Sequence, residues 1–281
     1  MTPLSAIILI LINDLPNIVT HSIPYLFVDD LKLCMQIKSV TDCVNLQRDL
    51  DRVIEWSMRN GLEMNVAKCA CMTFTLKRES LVHCYRIGNN RLARHLSVKD
   101  LGVVFDEKLS FIEHYNNITR SAFRMLGFVK RTCRYFRSKK AVLKLYNSYV
   151  RSKLEYGAIF WDPIYACQVN QIERVQKKFV RYLHGKFEKG DPKVPYSNLL
   201  EWSGLESLED RRKSSQVKYV TKVVKGKESN QFLLERFDFL ASLSRSNHTF
   251  YLPFSRVNVC KRAPVNKLGV AVNNCEWDIF K

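Results

Sequence analysis

Two adjacent carboxylates, Asp29 and Asp30, stand between two apolar, strand-prone runs, Tyr25-Leu-Phe-Val28 and Leu31-Lys-Leu-Cys-Met35. Such runs around an acidic pair read as a β-hairpin with carboxylates at its tip. An aspartate pair in that place is commonly no more than a turn. The same pair can hold a divalent cation for phosphoryl transfer, because Mg²⁺ takes a few hard oxygens together with substrate phosphates. The residue types by themselves leave both readings open. A second chemical signal is positive charge. The chain carries +18 overall, far more than solubility needs, and residues 114–190 hold 17 Lys or Arg against 4 Asp or Glu. An excess of this size points to a polyanionic partner.

The elements that must position these groups can be read from periodicity. After the acidic pair, Val44, Leu46, Leu50, Val53, Ile54 and Met58 approximate helical spacing, with Ser39 or Thr41 as N-cap and Gly61 as stop. Residues 69–75 read as a strand, Tyr85 to Leu92 as a hairpin turning at Gly88-Asn89-Asn90, and residues 101–105 as a further short strand. From residue 111 to 187 the pattern turns helical. Ile118, Ala122, Met125, Leu126 and Val129 form one apolar stripe, and Val142, Leu145, Tyr146, Tyr149 and Val150 a second. Ile172, Val175, Phe179, Val180 and Leu183 form a third. Gly157 and Trp161-Asp-Pro163 interrupt the pattern between the last two. Opposite the stripes, Lys130, Arg131, Arg134, Arg137, Lys139 and Lys140 gather near one helix junction, and Arg174, Lys177, Lys178 and Arg181 line the last helix. Solvated faces normally mix signs, and this one is nearly free of acids. Backbone contacts to a nucleic-acid duplex follow, with affinity that falls steeply as salt rises. Beyond Lys189, short helices are expected over 196–205, 208–213, 216–224 and 231–243, and the tail past His248 reads as irregular.

The ordered series of motifs resembles the reverse transcriptases of non-LTR (LINE-type, jockey-like) retrotransposons. Phe27-Val-Asp-Asp30 is similar to that family's metal-binding box, Phe or Tyr, any residue, Asp, Asp. Leu11-Ile-Asn-Asp-Leu-Pro16 resembles the segment before it. Gly61-Leu-Glu-Met-Asn-Val-Ala-Lys-Cys69 with Met72 and Phe74, and Val98-Lys-Asp-Leu-Gly-Val-Val-Phe-Asp106 with Leu109, Phe111 and His114, resemble the two boxes that follow. Leu126 to Arg131, Leu145 to Gly157, Trp161-Asp-Pro163 and Ile172 to Phe179 are similar to the helical region beyond. The resemblance spans roughly residues 4–185.

It implies an α+β chain: a partial polymerase palm over 1–110, a helical thumb bundle over 111–187, and a partly helical region of unknown role over 188–281. It implies RNA-directed DNA polymerase ancestry, with Mg²⁺ as cofactor and an RNA template and DNA primer, as RNA–DNA hybrid, for partners. No specific protein partner can be inferred. Asp29 would be the metal ligand and Asp30 its supporting carboxylate. Lys68 matches a position near the incoming triphosphate, where it would protonate or neutralise the leaving pyrophosphate; a solvated strand-edge lysine is the alternative. Val28 replaces the commoner alanine between Phe27 and the aspartates.

In the family a first metal-binding aspartate lies on an earlier strand, and the fingers hold template and nucleotide. In the 28 residues before Asp29 the sole acid is Asp14, for which a helix-end or turn role is expected. Two-metal catalysis needs carboxylates from more than one strand around ions about 3.5–4 Å apart. The expectation is a fragment that neither polymerises alone nor holds Mg²⁺ stably. The alternatives are a non-catalytic nucleic-acid-binding remnant or a pseudogene product without function.

Nine cysteines, odd in number and irregularly spaced, do not form a finger-type quartet with histidine, and a degenerate metal knuckle of His248, Cys260 and Cys275 is the minor alternative. Reduced thiols in an intracellular protein, cytoplasmic or nuclear, are expected. The apolar run Pro3 to Ile12 has no basic flank or cleavage site and is too short to span a bilayer, so neither a signal peptide nor a membrane segment is expected. The resemblance implies instead a buried palm segment short of its partners and prone to aggregate.

Overall fold

Ser39 begins the first long helix. Its hydroxyl accepts from the Asp42 backbone N–H at 3.3 Å while the Asp42 carboxylate accepts from the Ser39 N–H at 2.8 Å, a reciprocal capping box. In the computed structural model, which describes residues 10–78, 81–188, 193–240, 248–252 and 263–275, the chain divides into two units, 1–110 and 111–281. Secondary structure is mixed, with long helices and five two-stranded sheets among the described residues.

In the first unit, β1 (Ile23–Phe27) and β2 (Asp30–Cys34) form an antiparallel hairpin with Phe27 opposite Asp30. The capped helix α1 (Val40–Arg59) follows and ends at Asn60, with Gly61 at φ +66°, the left-handed conformation that glycine adopts without steric cost. Period-two alternation decides which face of the hairpin is inside. Leu26, Leu31 and Leu33 pack towards a core of Ile12, Leu15, Val53 and Trp56, while Ile23, Tyr25 and Phe27 face solvent. The expected apolar stripe of α1 is displaced. Its buried face carries Cys43, Asp49, Val53, Trp56 and Ser57, and Val44 and Met58 are exposed.

The strand expected over 69–75 contracts to β3 (Ala70–Cys71), which pairs in parallel with β6 (Ala93–Arg94). Between them β4 (Arg86–Ile87) and β5 (Asn90–Arg91) make the expected hairpin. The last strand expected in this unit is one arm of another hairpin, β7 (Ser97–Asp100) and β8 (Val103–Asp106). Leu101 and Gly102 turn it with φ of +43° and +87°, two successive positive values that match a primed turn. Of the apolar run Pro3 to Ile12, residues 3–9 lie outside the described residues; Ile12 is buried in the core.

The second unit opens with α2 (Ile112–Thr132), which buries His114, Tyr115, Thr119, Ala122, Leu126 and Val129. Next, α3 (Lys139–Tyr146) passes through one π-helical turn, Asn147–Arg151, into α4 (Ser152–Glu155). That turn shifts the inward face onto steps of four, so Val142, Tyr146, Val150 and Leu154 are buried. Tyr149, expected in the core stripe, is instead 47% exposed. The short α5 (Ala158–Trp161) brings Trp161 inside, where its indole donates to the Tyr156 carbonyl at 2.8 Å and its own carbonyl accepts from the Tyr115 hydroxyl at 2.7 Å.

Helix α6 (Ala166–Phe187) buries all five residues of its expected stripe. It stacks Phe179 on Tyr146 with ring centroids 3.8 Å apart. The Tyr146 hydroxyl donates to Gln176 at 2.9 Å, and Gln176 donates on to the Glu206 carbonyl at 2.8 Å. Helices α7 (Tyr196–Ser203) and α8 (Leu208–Val224) follow. Glu173 accepts from the Leu208 N–H at 3.1 Å, placing a buried carboxylate at the positive N-terminus of α8.

The tail differs from its expected irregular form. After α9 (Gln231–Leu234), β9 (Asp238–Phe239) pairs with β10 (Phe250–Tyr251), and α10 (Pro264–Asn273) closes the described chain. Val217, Val220, Val223, Leu233, Phe237, Phe250, Leu268 and Val272 form their core. Pro264 at the first helical position and the spacing Val265, Leu268, Val272 are helix signals too short to stand out alone. Residues 241–243 of the helix expected over 231–243, and Cys260, lie outside the described residues.

Candidate active site and nucleic-acid interface

Only one of the two aspartates sits in the turn. Val28 and Asp29 are its two residues, and Asp30 is the first residue of β2. Val28 has φ +55°, a conformation that costs a β-branched residue about 1–2 kcal/mol. Backbone strain of this kind persists where the surroundings impose it. Both aspartates are exposed, and neither carboxylate has a hydrogen-bond or ion-pair partner among the described residues. On the same strand Lys32 forms an ion pair with Asp100 of β7 at 2.7 Å.

A third aspartate holds the entry to this hairpin. Asp49 of α1 is fully buried. Its Oδ2 accepts from the His21 N–H at 2.9 Å, the Ser22 N–H at 2.6 Å and the Ser22 hydroxyl at 2.9 Å. Its Oδ1 accepts from the Thr20 N–H at 3.2 Å and from Arg52 at 3.0 Å. Burial alone would raise this carboxyl's pKa. The hydrogen bonds from Ser22, Thr20 and His21 outweigh it, and Asp49 titrates below the usual aspartate range. The available signal was position: Asp49 falls between Leu46 and Val53 on the helix face that packs inward.

The other candidates lie apart from one another in the contacts. Lys68 ends a 3₁₀ turn, Val66–Lys68, and is exposed, with no contact to Asp29 or Asp30 among the described residues. Asp14 stands at the N-cap position of the 3₁₀ turn Leu15–Ile18, but its carboxylate accepts from the Trp56 indole at 3.4 Å rather than from that turn. In kind, Asp29 and Asp30 suit a hard cation. In number they fall short, because no group of three or more His, Cys, Asp or Glu is placed to hold a metal among the described residues. All eight described cysteines are free thiols.

The second unit carries nearly all of the net positive charge. Residues 1–110 hold 13 Lys or Arg and 12 Asp or Glu, leaving +17 of the +18 on residues 111–281. The ten basic candidates divide by what they touch. Lys139 is half-buried, donating to the Trp202 carbonyl at 2.6 Å with its ammonium 3.6 Å above the Trp202 ring. Lys130 lies over Tyr182 at 4.9 Å, where burial and then the charge of Lys178 lower its pKa. Lys177 lies over Tyr196 at 5.2 Å. These three serve packing as well as charge, as do Lys178 over Phe123 and Arg134 over Tyr135, each at 5.6 Å. Arg131, Arg134, Arg137, Lys140, Arg174, Lys178 and Arg181 are exposed, the last three at helical spacing on the outer face of α6.

Arg120, Arg124 and the exposed rings of Phe128 and Tyr149 did not emerge from the sequence reading. Their signal was the acid-free run from Arg120 to Lys153, which holds eleven Lys or Arg. Among the described residues no helix is long and apolar enough to cross a membrane.

Comparison with known proteins agrees in direction with these features. No protein-family model matches the chain, and no solved structure matches it. Over 165 residues, 57% of its length, the chain is 29% identical to the RNA-directed DNA polymerase from mobile element jockey of Drosophila melanogaster. It is 26% identical to the corresponding protein of Drosophila funebris, and 26% identical over 163 residues to the probable RNA-directed DNA polymerase from transposon X-element of Drosophila melanogaster. The matches span 18% of the length of those relatives. The chain is related to non-LTR retrotransposon RNA-directed DNA polymerases.

Proposed function

We propose that this chain is the portion of a retrotransposon RNA-directed DNA polymerase that carries the acidic hairpin of the palm and the helical thumb, and that by itself it binds nucleic acid without extending a primer. The observation that carries the reading is the motif Phe27-Val-Asp-Asp30 on a two-residue hairpin turn in a chain 29% identical to the jockey enzyme. When bound in a complete site, Mg²⁺ would neutralise phosphate charge and polarise the reacting oxygens.

The chain's own share of that site is small and specific. Asp29, displayed by the turn, is the metal-binding carboxylate, and Asp30, fixed by its pairing with Phe27, is the supporting one. Asp49 positions both by fixing residues 20–22, which lead into β1. Further carboxylates must come from another strand, so no chemical step is assigned to this chain alone. Lys68, if brought beside a triphosphate, supplies one positive charge. In the second unit, Arg131, Arg134, Arg137, Lys140, Arg174, Lys178 and Arg181 make phosphate contacts to an RNA template and DNA primer, and Lys130, Lys139 and Lys177 support that face from within.

Two assays with the pure chain test the reading. With Mg²⁺, an RNA template and a DNA primer, no extension is expected; extension that stops on chelation would overturn the claim of inactivity. Binding to an RNA–DNA hybrid should weaken about 10³-fold or more between 50 and 200 mM salt if six or more phosphates are neutralised. Affinity that ignores salt would refute the nucleic-acid assignment.

A further inference from the structure

We propose that the outer face of α2 and the π-helical turn after α3 form a stacking platform for unpaired nucleotides, centred on Phe128 and Tyr149. This rests on the nucleic-acid reading above and narrows it from a duplex backbone to exposed bases. The two rings are each 47% exposed and meet edge to face, with centroids 6.5 Å apart. A single exposed aromatic needs no explanation, but two in contact within a basic stretch of chain free of acids do.

That neighbourhood is built by helical spacing. Arg120, Arg124, Phe128 and Arg131 follow one another at steps of four, four and three along the solvent face of α2. The Arg131 guanidinium folds back along the helix, 3.5 Å from where a Cβ on Gly127 would sit. On the other side, Lys153 follows Tyr149 by four residues. That step of four is the one that keeps a single face through the π turn. Between Glu113 and Glu155 the sequence has no acid, and Glu155 is itself held by Arg211 at 3.1 Å. Cations that track phosphates beside aromatic rings that accept any base are what a sequence-tolerant single-strand site requires. Paired bases in a duplex offer their faces only to each other, so the occupant is single-stranded RNA or DNA.

The test uses the intact chain and fluorescein-labelled 12-nucleotide single strands, with and without two central abasic sites. The normal strand should bind about 5- to 150-fold more tightly than its abasic counterpart, the range for stacking one base. Phe128→Ala and Tyr149→Ala should each erase most of that ratio with an unchanged salt slope. Phe128→Tyr, which keeps the ring, should preserve it. Equal binding of normal and abasic strands by the unmodified chain overturns the platform, and that result does not depend on whether the alanine variants fold. In that case, retained salt-sensitive binding to an RNA–DNA hybrid leaves the broader nucleic-acid reading intact. Failure to bind hybrid or either strand at low salt overturns both.

Discussion

Replacing Asp49 with asparagine should release the acidic hairpin from its helix. The carboxylate is fully buried, and each oxygen accepts from at least one backbone N–H among residues 20–22. An asparagine placed either way turns an NH₂ group toward one of those donors. The backbone N–H groups of Thr20 and His21, two exposed residues, can return to water, but Ser22 is buried. Hydrogen bonds to a charged acceptor contribute about 1.5–3 kcal/mol each, and stranding buried donors adds to the loss, so a total of about 3–5 kcal/mol is expected. Against the 5–15 kcal/mol that typically holds a domain folded, that is a large fraction.

The same contacts set a pH dependence. The folded-state pKa of Asp49 is depressed, so the unfolded chain takes up the proton first as pH falls. The stabilisation is therefore complete above the unfolded value of about 3.9 and is lost as pH drops through the folded one. Hydrogen exchange of residues 20–34 in the intact chain reads both effects. A loss of about 3 kcal/mol corresponds to roughly 100-fold faster exchange in Asp49→Asn, with the acid dependence gone. Exchange within threefold of the unmodified protein, or protection that grows as pH falls, would refute the reasoning.

Three other outcomes are expected. Val28→Gly removes a β-branched side chain at φ +55° and should stabilise the hairpin by about 0.5–1 kcal/mol after glycine's added chain entropy; a lower urea midpoint in unit-one probes would contradict this. Tyr146→Phe leaves the buried Gln176 carbonyl without its donor and should cost about 1–3 kcal/mol, read as a fall in thermal midpoint, and no change would argue against the Tyr146–Gln176 bond. Burial pushes the His114 imidazole down to about 4, so the unfolded chain protonates first and stability should fall by up to about 3 kcal/mol from pH 6.5 toward 4. Trp161 fluorescence, 5.2 Å from the His114 ring, follows that transition, and a difference between unmodified protein and His114→Phe that stays constant with pH would contradict it.

The sequence alone determined the local pieces. Two apolar runs around Asp29 and Asp30 are a hairpin, a helix begins at Ser39 or Thr41, and Ile172 to Leu183 make a stripe, because these depend on neighbours within a turn or two of chain. The ordered motifs likewise carried the relationship to retrotransposon polymerases. Tertiary structure decided what each piece faces. Asp49 is a structural acceptor because residues 20–22 come to it from 27–29 positions away. Lys139 is half-buried because Trp202 lies over it. Tyr149 left the core because a single π turn rotated the helix surface by one residue, and α10 formed because Leu268 and Val272 found Val217 and Phe250. Periodicity records that a face is apolar, but only long-range packing selects which face water leaves.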